Sequence, residues 1–179
     1  MKVEIEKLVF GGQGMGRVDN KVAFIWNALP GETVEIDVIQ NKKTHLEGVA
    51  KTIINPSPDR VEPRESHWLS SSPWQHISWE RENYWKRAIA AETYSKFADL
   101  ILSANDLEIV ADTNRQYGYR NKIEFSFVET EPGVISLAFF ERGKHRHIPA
   151  NEALLAEPII NETAKNILAW VNKQKIPMR

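Results

Sequence analysis

Hydrophobic and polar positions alternate over residues 119–148 in a way that predicts paired β-strands. From Ile123 to Phe127 every second side chain is apolar, and alternate side chains of an extended chain point to the same face. Glu131-Pro132-Gly133 supplies a turn, and a second apolar run occupies residues 134–140. We therefore predict a β-hairpin with one apolar face, followed by a third short strand after Gly143.

Shorter alternating runs fill the N-terminal part of the chain. Val34, Ile36 and Val38 alternate with Glu35 and Asp37 directly after a Pro-Gly turn signal. Four or five such runs, separated by Gly or Pro turns, occur before residue 56. Because a closed sheet leaves no unpaired edge, residues 1–55 are predicted to form a small β-barrel.

A glycine-rich segment, residues 11–16, connects the first two runs and is followed by Arg17. Glycine at this density indicates a tight turn or a backbone that approaches a ligand closely. The spacing fits neither the dinucleotide fingerprint nor a phosphate-binding P-loop. A plain strand connection and a ligand-contacting loop both remain open from these residues alone.

The middle of the chain is irregular and then helical. Residues 55–73 carry four prolines and little periodicity, which indicates an arm or linker, and residues 56–76 are assigned to it. A helix with a broad buried face is predicted from Ser78 to about Leu102. Residues 107–111 are expected to form a strand that leads into the hairpin.

A second helix is predicted near the end of the chain. Pro158 suits the first turn of a helix, and Pro177 is expected to stop it. One apolar stripe follows at helical spacing, formed by Ile160, Ala164, Ile167, Leu168 and Val171. Residues 77–179 are therefore predicted to be an α+β domain with an antiparallel sheet.

Composition limits the class of protein. The chain has 179 residues, of which 42% are hydrophobic and 26% charged, as in globular domains. The formal net charge is -1, so any site for a polyanion must be local. There are no cysteines, which excludes disulfides, thiolate ligands and a cysteine nucleophile within these residues. No membrane span or signal peptide is indicated, and the expected location is the cytoplasm.

Both ends of the predicted hairpin are basic. Arginine and lysine contact phosphates, and aromatic rings stack on unpaired bases, so a nucleic-acid site is one interpretation. Solvated charge on a sheet edge is the other, and the residues alone do not separate the two. The candidates for RNA binding are Arg115, Tyr119, Arg120, Asn121 and Lys122 at the entrance, Arg142, Lys144, His145 and Arg146 at the exit, and Arg17 beside the glycines.

Catalytic and metal-binding patterns are weak. His145 and His147 are predicted on one strand face, but there is no evident third ligand and the flanking residues are basic, so no metal is expected. No nucleophile elbow or paired carboxylates suggest hydrolysis, and no catalytic residue is assigned.

Several stretches together resemble the RNA uracil-5-methyltransferases, which methylate ribosomal or transfer RNA with S-adenosylmethionine. EKLVFGGQGMGR followed by PGETVEIDV is similar to the TRAM domain, an OB-like RNA-binding β-barrel. PWQHISWERENYWKRAI resembles the segment after TRAM, and YRNKIEFSF with LAFFERGKHRHIPANEALL resembles the central, RNA-contacting domain. The resemblance implies structured RNA as a partner and a downstream methyltransferase domain that holds S-adenosylmethionine and a catalytic cysteine.

The chain departs from that family where many members bind an iron–sulfur cluster. Leu69, Ser72 and Ala153 stand where the resemblance would place cysteines, so no cluster is expected. Since the chain also lacks a glycine-rich strand-to-helix turn for S-adenosylmethionine, we expect a substrate-recognition portion of such an enzyme that is not catalytic by itself. The alternatives are a stand-alone RNA-binding module, a protein-interaction module, and, least favoured, a metalloenzyme using His145 and His147.

Overall fold

The computed structural model describes residues 1–176, and Pro177, the predicted stop of the last helix, lies outside them. Close contacts group the chain into two compact units. The first contains Met1–Pro63 and Pro73–Ala111, and the second contains Arg64–Ser72 and Asp112–Arg179. This grouping differs from the predicted boundaries at residues 55 and 76, because part of the arm packs in each unit. The domain limits 1–55, 56–76 and 77–179 stay a prediction.

Five strands of the first unit close into a barrel, which confirms the prediction for this region. The strands are β1 (Lys2–Leu8), β2 (Gly14–Val18), β3 (Lys21–Trp26), β4 (Thr33–Asn41) and β5 (His45–Asn55). The neighbour order is β1-β2-β3-β5-β4, and β4 pairs with β1 to complete the circle. All pairs are antiparallel except β3 with β5.

The interior of the barrel is filled by small and branched aliphatic side chains, including Val3, Ala23, Ile25 and Val34. The residues of β2 that face this interior are glycines, Gly14 and Gly16. A Cβ added to Gly16 would lie 2.2 Å from the carbonyl oxygen of Glu4, well inside van der Waals contact. Glycine in this strand is thus required by the close approach of β1.

The rest of the first unit consists of an arm segment and one long helix. The helix, α2, spans Trp79–Ala98 and ends at Asp99 in the left-handed conformation. Its predicted broad buried face is wrong, since Ala91 is its only fully buried residue. Trp85 and Ile89 pack partly against the barrel residues Leu8 and Leu29.

Beyond α2 the first unit is irregular. A short 3-10 turn spans Ala104–Asp106, and the strand predicted at residues 107–111 is absent from the structure. No strand forms there because the segment pairs with no neighbouring main chain among residues 1–176, and Val110 is 98% exposed. An alternating pattern of this length needs such a partner before it becomes a strand.

The second unit contains a three-stranded antiparallel sheet, as predicted. Its strands are β6 (Ser126–Glu131), β7 (Val134–Phe140) and β8 (His147–Pro149), in the order β6-β7-β8. The turn falls at Gly133, which has a φ of 79°. The first strand begins seven residues later than the pattern at residue 119 suggested, yet Ile123 and Phe125 still pack on the buried cluster around Phe139.

Two helices complete the second unit. α1 spans Trp68–Ser71 in the arm, and α3 spans Pro158–Gln174 with its proline in the first turn, as expected. Asn172 holds α3 to the sheet, since its side-chain oxygen accepts from the Ile135 N–H at 2.9 Å and its amide donates to the Ile135 carbonyl at 2.9 Å. The predicted buried stripe is only partly correct, because Ile167 is 47% exposed.

Each helix within residues 1–176 is too short or too polar to span a bilayer.

Candidate nucleic-acid interface

The entrance to the hairpin is clamped by main-chain hydrogen bonds. The Arg120 N–H donates to the Leu155 carbonyl at 2.7 Å, and the Arg120 carbonyl accepts from the Glu157 N–H at 2.9 Å. Arg120 also forms an isolated parallel bridge with Ala156. The main chain of residues 155–157 therefore fixes this residue, and the exposed Asn121 and Lys122 follow directly from a rigid backbone.

The other predicted entrance residues have defined neighbours in the second unit. Arg115 is exposed and its guanidinium lies 3.7 Å from the carboxylate of Glu157. Tyr119 is 45% exposed. The Arg120 guanidinium is partly buried and donates to the Ser71 carbonyl at 3.4 Å. Arg115, Tyr119, Asn121 and Lys122 are thus exposed, whereas Arg120 is half-buried.

The exit of the hairpin is less basic than its sequence suggests, because Glu141 neutralises two of the cations. Lys144 Nζ donates to Glu141 Oε1 at 2.6 Å, and Arg146 Nε donates to Glu141 Oε2. The hydrogen bond from Arg146, followed by that from Lys144, holds the pKa of Glu141 below its ordinary value. Arg146 is thus paired with Glu141 in the absence of a ligand, and no pattern in the sequence singles out this acid.

The Arg142 side chain is half-buried and bonds to the arm. Its Nε donates to the Leu69 carbonyl at 2.8 Å, and its main-chain N–H donates to Ser70 Oγ at 2.9 Å. Burial lowers the pKa of its guanidinium. Arg142 therefore ties α1 to the end of β7.

The two histidines do not share a strand face, which corrects the sequence-based expectation. β8 starts at His147, so His145 lies in the preceding turn. The His147 ring meets Phe140 edge-on at 5.5 Å, and His145 is exposed. Within residues 1–176, no group of three or more His, Cys, Asp or Glu side chains is arranged to hold a metal ion.

The positions that correspond to cluster cysteines do not fit an iron–sulfur group. Leu69 contributes only its carbonyl, as an acceptor for Arg142, and Ala153 is 1% exposed within the apolar cluster. Ser72 is 6% exposed and its N–H donates to the Trp68 carbonyl at 2.7 Å. Aliphatic and hydroxyl side chains cannot replace the thiolates that hold such clusters, so these positions are held by ordinary packing.

A network of polar contacts holds the arm within the second unit. Glu65 Oε1 accepts from the Leu154 N–H at 2.7 Å and lies 3.6 Å from His67 Nε2. His67 Nδ1 is 3.0 Å from Ser71 Oγ, and its ring packs on Phe139 with centroids 5.0 Å apart. These contacts connect the arm to the loop before α3 and to β7.

A cleft beside the start of α3 was not predicted. Its volume is about 780 Å³, and it is lined in part by Tyr117, Glu152 and Lys165. The Arg64 guanidinium carbon lies 4.5 Å from the Tyr117 ring centroid, and Lys165 Nζ donates to Glu152 at 2.9 Å. No local sequence signal could reveal this cleft, because its walls come from two separate segments, residues 117–118 and 152–166.

The remaining candidate, Arg17, belongs to the first unit. It lies on β2 opposite Val22 of β3, with its side chain 58% exposed and Nε 3.9 Å from Glu6 Oε1. The strand pairing therefore places Arg17 on the outer surface of the barrel.

Comparisons with known proteins define the class of the first unit. The TRAM domain model matches residues 1–51, which include the barrel strands up to the middle of β5, so the chain carries a TRAM domain. In a comparison of folds, 98% of this chain aligns with 38% of a Pyrococcus abyssi tRNA (uracil-54, C5)-methyltransferase, solved in complex with S-adenosyl-L-homocysteine, with a TM-score of 0.65 and 18% identity.

Three relatives with similar sequences are all called RNA methyltransferases. The chain is 31% identical to the uncharacterized RNA methyltransferase Bd3828 of Bdellovibrio bacteriovorus, with 97% of this chain and 43% of that protein aligned. It is 30% identical to FN1713 of Fusobacterium nucleatum, covering 98% and 38%, and 26% identical to YwfF of Lactococcus lactis, covering 99% and 35%. Both are also called uncharacterized RNA methyltransferases. The chain thus spans 35% to 43% of the length of these three relatives.

These relatives contradict the expectation of a recognition portion that is not catalytic, and equally the alternative of a separate binding or interaction module. Proteins that align with nearly all of this chain are methyltransferases by name. The sequence of this chain therefore aligns with one part of longer proteins that bear this name.

Proposed function

We propose that the protein is an S-adenosylmethionine-dependent RNA methyltransferase that modifies C5 of a uracil in structured ribosomal or transfer RNA. The observation that carries this proposal is the similarity, over 97% of this chain or more, to three proteins called RNA methyltransferases. The uracil C5 specificity is supported by the resemblance of the central segments and by the structural neighbour, a tRNA (uracil-54, C5)-methyltransferase. The cytoplasm, where such RNA is found, is the proposed location.

The S-adenosylmethionine site is not assigned to the described residues. Residues 1–176 form an antiparallel three-stranded sheet and a barrel, and neither has the parallel strand–glycine loop–helix arrangement that suits a nucleoside cofactor. The 179 residues also contain no cysteine to attack C6. The proposal therefore includes a methyltransferase domain of the kind implied by the resemblance, and no step of methyl transfer is derived from residues 1–176.

The described residues contribute recognition of RNA in this proposal. The segment from Arg120 to Lys122 supports it best, because main-chain bonds on both sides of Arg120 fix the backbone that carries the exposed Asn121 and Lys122. Arg115 and Tyr119 extend this surface. At the other end of the sheet, His145 is exposed, and Lys144 and Arg146 would contact phosphate in place of Glu141. Arg17 supplies a positive charge on the TRAM barrel, whose strand order supports an OB-like class.

The activity is tested by its product in cells. Deleting the gene that encodes this protein should remove one 5-methyluridine from ribosomal or transfer RNA, as measured by mass spectrometry of nuclease digests. A gene copy with Arg120→Gln and Lys122→Gln should restore the modification less completely than the unaltered gene. Lys173→Gln, at the far end of α3, is the matched control and should restore it fully. An unchanged 5-methyluridine content in the deletion strain would overturn the proposal.

A further inference from the structure

The C-terminal end of α1 contacts two arginines that come from opposite ends of the hairpin. Arg120, which precedes β6, donates from Nη1 to the Ser71 carbonyl at 3.4 Å. Arg142, which follows β7, donates from Nε to the Leu69 carbonyl at 2.8 Å. The last carbonyls of a helix have no partner within the helix, and cationic side chains are favourable there. Both arginines therefore satisfy acceptors that the single turn of α1 cannot satisfy by itself.

The two contacts differ in how easily another acceptor can displace them. Arg142 is held at a second point, because its main-chain N–H donates to Ser70 Oγ at 2.9 Å. The bond from Arg120 is 3.4 Å long, near the upper limit for a hydrogen bond, and its acceptor is a neutral carbonyl. Arg142 is thus the firm attachment of α1, and Arg120 is the weaker one.

The Arg120 side chain can leave Ser71 without any movement of its own backbone. Its N–H donates to the Leu155 carbonyl at 2.7 Å, and its carbonyl accepts from the Glu157 N–H at 2.9 Å. The exposed Lys122 is two residues further on, which is at most about 7 Å along the chain. A phosphate held by Lys122 is therefore within reach of the Arg120 guanidinium.

A phosphate is a better acceptor for this guanidinium than the Ser71 carbonyl. Hydrogen bonds between two ionised groups are roughly twice as strong as bonds between neutral groups, and arginine can donate two of them to one phosphate. A polyanion that reaches the hairpin entrance would therefore take Arg120 away from α1.

The remaining contacts of Ser71 are local to the arm. Its N–H donates to the His67 carbonyl at 3.2 Å, and its Oγ lies 3.0 Å from His67 Nδ1. A helix of one turn is not stable without such tertiary contacts. Loss of the bond from Arg120 should consequently let the C-terminal end of α1 open more often.

We propose that the contact between Arg120 and Ser71 is a conformational switch, in which an RNA phosphate takes over the Arg120 guanidinium and releases the end of α1. Arg142 keeps α1 attached at Leu69 in both states. The inference rests on the proposed function for the identity of the polyanion. It adds to that function a change in the arm, at a distance in sequence from the hairpin, that accompanies RNA binding.

The direction of the change distinguishes this switch from ordinary binding. A segment that is ordered by a ligand exchanges its amide hydrogens more slowly in the complex. The switch predicts the opposite for α1, because the ligand removes one of its attachments.

The test compares amide hydrogen exchange of the 179-residue chain with and without in vitro transcribed transfer RNA, at low ionic strength and saturating RNA. The reporters are the N–H groups of Ser70, Ser71 and Ser72, which donate to the carbonyls of His67 and Trp68. We expect RNA to accelerate their exchange about fivefold, the effect of losing one hydrogen bond.

Three variants separate the switch from a general loss of structure. Arg120→Gln should exchange at α1 about fivefold faster in the free protein and show no further acceleration with RNA. Arg142→Gln should also exchange faster without RNA, but it should retain the response to RNA. Lys122→Gln, which alters an exposed side chain, should leave exchange at α1 unchanged in the free protein. Thermal unfolding identifies any variant that loses its fold.

The outcomes separate failure of this inference from failure of the proposed function. If transfer RNA binds and exchange at α1 is unchanged or slower, the switch is wrong while RNA methylation stands. If transfer RNA does not bind, inorganic polyphosphate replaces it as the polyanion: faster exchange at α1 then supports the switch, and unchanged exchange overturns it. The 5-methyluridine content of the deletion strain tests the proposed function independently.

Discussion

Arg60 and Glu32 form a two-point ion pair in the first unit. Arg60 Nε lies 2.6 Å from Glu32 Oε1 and Nη2 lies 2.8 Å from Oε2. Glu32 is 0% exposed, and its carboxylate also accepts from the N–H groups of Leu29 and Ser57. The pair therefore connects the turn before β4 to the start of the arm.

Removing one partner of this pair should strongly destabilise the first unit. Arg60→Ala leaves a buried carboxylate without its countercharge, a change that typically costs about 3–5 kcal/mol. We expect urea unfolding to show a loss of this size. Arg81→Ala is the matched control, because the side chains of the Arg81–Asp59 pair, 2.8 Å apart, are 36% and 31% exposed, so its loss should cost about 1 kcal/mol. Equal losses in the two variants would contradict this assignment.

The stability of the first unit should fall as the pH drops below about 6.5. Burial, followed by the nearby charge of Arg60, lowers the pKa of His76 from 6.5 to about 3. The unfolded chain binds a proton at His76 in this range and the folded chain does not, so stability is complete above pH 6.5 and decreases toward pH 3. The expected slope is about 1.4 kcal/mol per pH unit.

Urea unfolding at several pH values measures this slope, and His76→Leu should abolish it between about pH 6.5 and 5. The Glu32 carboxylate affects the stability of the first unit in a lower pH range. Burial opposes its ionisation, but hydrogen bonds from Arg60, Leu29 and Ser57 outweigh that effect and hold its pKa below 4.5. Its contribution is present above that pH and is lost as the pH falls through the lowered pKa. A wild-type profile that is flat from about pH 7 to 5 would contradict the role of His76.

A methyl group at Gly16 should disrupt the barrel. The added Cβ would lie 2.2 Å from the Glu4 carbonyl oxygen and 2.8 Å from Val3 Cγ1, so β1 must move away from β2. Overpacking of this kind costs about 1–3 kcal/mol or more. Thermal unfolding should show Gly16→Ala markedly destabilised, whereas Met15→Ala, at the preceding and outward position, should change stability much less. If Gly16→Ala left the thermal stability unchanged, β1 and β2 would be able to move apart without cost, and the prediction would be wrong.

Loss of the Arg142 guanidinium should loosen the arm without changing the electrostatics of RNA binding. Arg142→Gln removes the hydrogen bond to the Leu69 carbonyl, so amide exchange at α1 should accelerate. The salt slope of RNA binding should not change, because Arg142 is turned toward the arm. Arg115→Gln is the control with the opposite pattern: unaltered exchange and a smaller slope, because the exposed Arg115 guanidinium is one of the proposed phosphate contacts.

Charge removal at the hairpin should weaken binding of structured RNA unequally. Arg120→Gln and Lys122→Gln are each expected to reduce the salt slope by about one contact. Arg146→Gln should have a smaller effect, since Glu141 already neutralises Arg146 in the free protein. Titrations at several salt concentrations measure the slopes. An undetectable affinity at low salt, or three unchanged slopes, would refute the hairpin surface as an RNA site.

The barrel was predictable because its information is local. Alternation in Val34–Val38 and the Pro30-Gly31 turn determine strands whose inner faces must be covered, and closure covers them. Helix α2 shows the limit of such reasoning. Spacing indicates which of its residues share a face, but not whether a partner covers that face, and Phe97 remains 78% exposed.

The site was less predictable, because charges in a sequence do not reveal their partners. Arg142 and Arg146 look equivalent in the sequence, yet one is bound to the distant arm residue Leu69 and the other to Glu141. The outward position of Arg17 could have been predicted, since glycine at positions 14 and 16 indicates that the alternate residues Met15 and Arg17 face outward.

The pairing of Glu141 with Lys144 and Arg146 makes the hairpin turn a proton-linked exchange site. In the free protein the Glu141 carboxylate pairs with both cations, and these contacts keep its pKa low. In the proposed complex, an RNA phosphate that takes over those cations would release the carboxylate, and its pKa would return toward the ordinary value of 4.5. Proton uptake on binding is then confined to pH values near and below 4.5, so at neutral pH this exchange leaves the affinity independent of pH.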